Sequence, residues 1–362
     1  MVEPVDWDLA SQVAVRAASR HAPYPAFEMR ALEADFAELT AEAEGLVAEE
    51  TGLRSLAGPA RARVTDRAGW VEANVASFQR LLGPVTTKLG ASLERSSARP
   101  FSLPLGASRR LSGTQVGMLL GWMSSRVLGQ YDQLLTEDES TEDQDIVYYV
   151  GPNVLGLERR FGFPPREFRL WLAIHEVTHR AQFTGVPWMR EHFLGLVRRT
   201  LDGVDPDPRR LVEALRRSAS EIRAGRNPLD EGGLLTLLAT PDQYATIQEV
   251  GGLMSLLEGH GDITMDRAGA GRIPNAPWFA QTLRERRRQR GASKAVTVLI
   301  GLDAKLRQYE QGEAFIEAVE AAGGEALLRK VWEGPAWLPS WPEIREPGMW
   351  VERVSTAGPA RR

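Results

Sequence analysis

The chain has 362 residues, 43% hydrophobic and 25% charged, with 34 Gly and 22 Pro. That balance belongs to folded globular proteins and excludes a disordered, collagen-like or fibrous chain. With no cysteine, disulfides, thiolate zinc sites, iron–sulfur clusters and cysteine nucleophiles are excluded, and a net charge of −4 gives no overall field for nucleic acid or an acidic membrane.

The opening Met-Val-Glu-Pro-Val-Asp-Trp-Asp is acidic where a secretory signal is basic. No stretch approaches the roughly eighteen apolar residues of a membrane span. The expectation is a cytoplasmic protein with no membrane or nucleic-acid partner. Helical periodicity marks Asp8–Arg20, stopped by Pro23 and Pro25, and Phe27–Thr51, with apolar Phe27, Leu32, Phe36, Leu39, Ala43, Leu46 and Val47 on one face. Thr65–Leu82 and Ser112–Tyr131 are two further helices. Thr136–Asp145, with six carboxylates in ten residues, reads as a solvated connection.

Ile146–Val150 is the clearest strand, rich in β-branched and aromatic residues and ended by Gly151-Pro152-Asn153. Pro164 and Pro165 open a helix over Arg166–Phe183, and Pro187 precedes another running through Arg198. A turn at Asp202–Pro208, a helix at Arg209–Ala224 and a long helix at Asp242–Asp266 follow, broken by Gly269–Pro277. Lys294–Ile300 fits a strand or a helix. Leu302–Ala322 is a helix closed by Gly323-Gly324, and a tail with three Trp and four Pro between Trp332 and Pro347 wraps over the body. The reading is a predominantly helical α+β protein, an N-terminal helical region at 1–140 before a catalytic region at 141–362, or one continuous domain.

One segment carries chemistry: His175-Glu176-Val177-Thr178-His179, a His-Glu-x-x-His pattern inside a predicted helix. Residues four apart share a helix face, so both imidazoles can address one metal ion. Glu176 lies about 100° around the axis, where its carboxylate can reach a water on the metal and act as a general base. Zinc suits two imidazoles and an oxygen ligand with one position open. The apolar run Leu170–Ile174 buries this helix, where a His pair and a glutamate are costly without a partner.

A third ligand must come from elsewhere. The extended motif with a third His is excluded, because Gly185 stands where that His belongs and Gln182 where its glycine belongs. The long helix offers Glu258, with Asp262 four residues on, sharing its face and placed to steer a ligand imidazole. Glu249, Asp262, Asp266, His260 and His192 are the alternatives. Glu249 and His260 share the opposite face, where a structural contact between them is expected. Tyr309, Arg307 and His260 are the possible donors to a transition-state oxyanion. Arg284–Arg290 reads as a solvated helix face, and Gly251, Gly252, Gly259 and Gly261 as positions where two helices approach closely.

Taken with Val186-Pro-Trp-Met-Arg190, Val127-Leu-Gly-Gln-Tyr-Asp132, Val150-Gly-Pro-Asn153, Leu257-Glu-Gly-His-Gly-Asp262 and Lys305–Phe315, the segment His175–Phe183 resembles a family of bacterial zincin-like hydrolases, some labelled as associated with deazaflavin-cofactor biosynthesis. The likeness covers most of the chain from about residue 110, together with Val5–Asp8. It implies a zincin-like metalloprotease fold, a small sheet beside the active-site helix, Zn2+ as cofactor and Glu258 as a gluzincin-like third ligand. Leu257 departs from the Asn usual before that Glu, and the interval from His179 is long. The resemblance also implies that Ile146–Val150 is an edge strand holding an extended substrate near Tyr148–Gly151. The functional expectation is a zinc-dependent hydrolase, a metallopeptidase acting on peptide or other amide bonds with Glu176 as base. The alternative is a catalytically silent metal-binding scaffold on the same frame.

Overall fold

The computed structural model describes residues 4–19, 24–79, 83, 105–131, 145–202, 241–288 and 302–357. Most of the acidic connection, most of the turn from Asp202, the predicted helix Arg209–Ala224 and the segment Lys294–Ile300 lie outside the described residues. The chain divides into two compact units.

The first unit comprises Met1–Gly52, Leu56–Arg180 and Gly269–Ala276. Its helix α1 (Trp7–Ala18) is capped by Asp6, whose side chain accepts the Leu9 N–H at 3.1 Å. Helix α2 (Ala26–Thr51) buries Leu32, Phe36, Leu39, Ala43 and Val47 as its periodicity predicts, although Phe27 is left exposed at its start. Strand β1 (Arg61–Thr65) and helix α3 (67–79) follow. Helix α4 (Leu105–Ser124) lies directly on α1: a Cβ on Gly113, Gly117 or Gly121 would come within 2.4 to 2.5 Å of Asp6 O, Ala10 O or Ala17 Cβ. One glycine per turn lets the two backbones touch.

The helix predicted to reach Tyr131 ends at Ser124. Asn153 explains the stop, since its Nδ2 donates to the Ser124 carbonyl at 2.8 Å and the Val127 carbonyl at 2.6 Å. The chain then enters strand β2 (Gly129–Tyr131), which pairs antiparallel with β3 (Ile146–Val150), Gly129 opposite Tyr149. On its other side β3 pairs parallel with β1, Arg61 opposite Ile146 through Thr65 opposite Val150. The order β1-β3-β2 corrects the expectation of an edge strand: β3 is central, buried along its length, and has backbone partners on both sides. A continuous apolar run is what a two-sided central strand requires.

Helix α5 (Gly151–Phe161) begins at the Gly-Pro-Asn that reads as a strand terminator. Pro152 falls in its first turn, where a missing N–H is tolerated. Helix α6 (Pro165–Thr184) carries the His-Glu-x-x-His segment. It is anchored through arginines. Arg169 meets both Glu158 carboxylate oxygens at 2.8 Å and also pairs with Asp35. Arg180, its side chain 1% exposed, binds both Asp145 oxygens at 3.0 and 2.6 Å, Glu44 at 2.6 Å and the Gly58 carbonyl at 2.6 Å.

The second unit comprises Leu53–Ser55, Ala181–Ala268 and Pro277–Arg362. It includes the last turn of α6, helix α7 (Met189–Asp202), helix α8 (Pro241–Ala268), most of α9 (Ala276–Arg288) and α10 (Leu302–Leu328). Helices α8 and α10 cross on glycines, as the Gly-rich stretch predicts. A Cβ on Gly259 would fall 2.3 Å from the Gly312 carbonyl carbon, and one on Gly312 would fall 2.0 Å from Ser255 O. Gly324, at φ 68°, kinks α10 where its predicted end lies. The tail folds over α8 through α11 (Trp341–Arg345) and α12 (Pro347–Glu352), with Gly252 admitting the Pro339 carbonyl.

The tail is tied by Glu343, which accepts from the Ser340 N–H at 2.7 Å and from Arg353 Nε at 2.6 Å. Burial pushes the Glu343 carboxyl up, but the bonds from Arg353 and Ser340 more than reverse this and hold it below its ordinary 4.5. A depressed carboxyl contributes stability above its unfolded-state pKa and loses it as pH falls through the folded-state value. Glu343→Gln is therefore expected to be less stable than wild type at pH 7, with the gap closing towards pH 3 in urea titrations. In the first unit, Arg180→Met strands the Asp145 and Glu44 carboxylates, and its unfolding free energy is expected to fall by about 3–5 kcal/mol.

Candidate metal centre

Around α6 the chain buries Leu170–Ile174, Val177 and Thr178, so its polar residues are enclosed by apolar neighbours. His179 and Glu176 are buried at 8% and 6% exposure, while His175 is half-buried. The one-turn spacing brings the two Nε2 atoms to 3.2 Å, with the ring planes crossed at 82°. Two nitrogens held about 2.0–2.1 Å from one tetrahedral ion are about 3.3–3.4 Å apart. The imidazole pair thus already has the separation that a shared zinc ion demands.

Glu176 faces the sheet. A Cβ built on Gly129 would lie 2.7 Å from both Cγ and Oε1 of Glu176, so the carboxylate occupies the space that only glycine leaves on β2. Across the ladder from Gly129 stands Tyr149, fully buried, stacked on Phe36 at 3.7 Å between ring centres and bonded to Thr40 Oγ1 at 2.8 Å. Burial pushes the Tyr149 phenol far up, the Thr40 bond opposes this, and the negative charge of Glu176 adds to the rise. The phenol therefore stays neutral.

On α8, Glu258 is buried at 9% exposure. The last turn of α6 meets this helix through Gln182, whose Nε2 donates to the Leu257 carbonyl and to His260 Nδ1, each at 3.0 Å. One ligand atom from each of His175, His179 and Glu258 lies within 4.8 Å of the others, and among the described residues no other such group of three occurs. The donor set of two imidazoles and a carboxylate is one that zinc takes readily.

The other expected residues are distributed as follows. Asp262 hydrogen-bonds Glu313, whose carboxyl is raised by burial against the lowering effect of that bond. His260 is buried, its ring 5.0 Å from that of Trp332. Glu249 pairs with Arg199 at 3.3 Å. The expected contact between Glu249 and His260 is corrected by helix geometry: eleven residues share a face but are separated by about 16 Å of rise. His192 sits against Trp188. Burial raises Asp266, with Arg284 opposing. Arg307 and Tyr309 lie on α10, with their side chains outside the described residues.

Gly129 and Gln182 are missed as parts of the site. No residue pattern marks Gly129, since its role comes from strand pairing; Gln182 shows only as the residue replacing a motif glycine. Gly129→Ala is expected to push the Glu176 carboxylate aside. The added methyl overpacks the site, so the unfolding free energy is expected to fall by about 1–3 kcal/mol in urea titrations.

No curated protein matches the chain. Among the described residues no helix is long and apolar enough to cross a membrane. A crystal structure from Chloroflexus aurantiacus, described as that of "a putative hydrolase with a novel fold", superposes with a TM-score of 0.70 at 32% identity, covering 97% of this chain and 99% of the other. The family profile described as zincin-like metallopeptidase matches residues 5–351, and with it a divalent metal, typically zinc, is implied for the site. Carrying that match over nearly its whole length, on a helical body with a small sheet beside the paired histidines, the chain belongs to the zincin-like metallopeptidases.

Proposed function

We propose that the protein is a zinc-dependent hydrolase that cleaves amide bonds, with His175, His179 and Glu258 holding the ion and Glu176 as the general base. The observation that carries this reading is the pair of imidazole nitrogens 3.2 Å apart on a buried helix, with Glu176 confined against Gly129 beside them. Two neutral imidazoles and one carboxylate leave a divalent ion with a net positive charge, which suits it to polarise a carbonyl. Zinc bound there supplies Lewis acidity towards water and the scissile carbonyl. Glu176 takes the proton from the attacking water and returns it to the leaving nitrogen.

An extended peptide is placed along β2, the strand that carries Gly129 against Glu176 and that, among the described residues, forms one edge of the sheet. Backbone pairing there brings the substrate alongside the base. Tyr309, Arg307 and His260 are the proposed donors to the oxyanion. His260 offers only its Nε2–H, because Nδ1 is taken by Gln182.

The test is a peptide-library digestion with metal analysis of the same samples. Glu176→Gln is expected to keep its zinc and lose about 10²- to 10⁴-fold in hydrolysis. His175→Ala is expected to lose the ion. Equal cleavage by wild type and Glu176→Gln, or none by either, contradicts the hydrolase and leaves a metal-binding scaffold.

A further inference from the structure

We infer that Gln182 is a positioning residue for the metal centre, fixing α8 at the Leu257 carbonyl and with it the Glu258 that follows. The inference rests on the ligand assignment proposed above. Gln182 is wholly buried, three residues after His179 on the same helix. Its Nε2 lies 3.0 Å from the Leu257 carbonyl and 3.0 Å from His260 Nδ1. A carbonyl only accepts, so the nitrogen end of the amide faces α8 and both of its hydrogens are used. It follows that His260 Nδ1 is an acceptor and that its ring proton sits on Nε2.

The carbonyl that Gln182 grips belongs to the residue immediately before Glu258. The bond thus joins the turn after one proposed ligand to the peptide before another. An apolar side chain of the same length would fill the space equally well, yet it would let the two helices slide, because apolar contacts carry no direction. Burying an amide is costly unless it is bonded, and here both hydrogens of the buried amide are spent on α8. Gln182 is also the residue that replaces the glycine of the extended three-His motif. The position released from that motif is used to hold a ligand brought from a separate helix.

The experiment measures zinc affinity of the full-length protein by competition with a chromogenic chelator, for wild type and Gln182→Met. The variant is expected to bind zinc about ten- to a hundred-fold more weakly, the usual effect of removing a partner that orients a ligand. Affinity within twofold of a zinc-binding wild type overturns the positioning role and leaves the metal centre standing. A wild type that binds no zinc overturns the centre itself. If Gln182→Met does not fold, 15N spectra of the five imidazoles of the zinc-free wild type decide the matter. His260 is expected as the Nε2–H tautomer, and a proton on Nδ1 overturns the Gln182 contact.

Discussion

Two imidazole nitrogens 3.2 Å apart, one helical turn from each other and inside an apolar shell, are the constraint on which the rest of this structure depends. A neutral imidazole presents a lone pair on one ring nitrogen, and two Nε2 lone pairs at this distance can address a single cation. A buried helix surface is an expensive place for such a pair. Its presence is explained when the pair serves a cation, and much of the surrounding architecture serves to hold it still.

That holding is done at each end of α6 by charge and in between by shape. Arg169 and Arg180 tie the helix to α2, α5 and the entry to β3 by multiple bonds, so neither rotation nor sliding is free. Gly129 leaves room on β2 for the Glu176 carboxylate, and Tyr149 opposite it is kept neutral by its burial. In the second unit the glycine crossing of α8 and α10 brings two backbones into contact beside Glu258. Glycine at a close approach costs chain entropy on folding, and at these points the contact could not form with any side chain present.

Much of this was legible in the residues. The helix over Arg166–Phe183 appears within one residue of its observed limits, because two prolines mark its start and its apolar spacing is unbroken. The strand Ile146–Val150 is equally plain, but its place in the sheet is not: β1 has few apolar residues and β2 has three residues, and only their pairing reveals β3 as central. Helix α5 hides behind a Gly-Pro-Asn that serves strand end and helix start alike. Of the site, the histidines and Glu176 are carried by local spacing. Glu258 follows from the need for an oxygen ligand and from family likeness. Gly129 and Gln182 act through contacts between elements far apart in sequence, which periodicity does not encode.

The central claim concerns a metal held by two imidazoles and a carboxylate, and the most direct measurement is X-ray absorption at the zinc edge on the purified wild-type protein. The account predicts about one zinc per chain, with two imidazole nitrogens and oxygen neighbours at about 2.0–2.2 Å. A spectrum lacking imidazole scattering, or a protein that takes up no zinc from a stoichiometric supply, would contradict it.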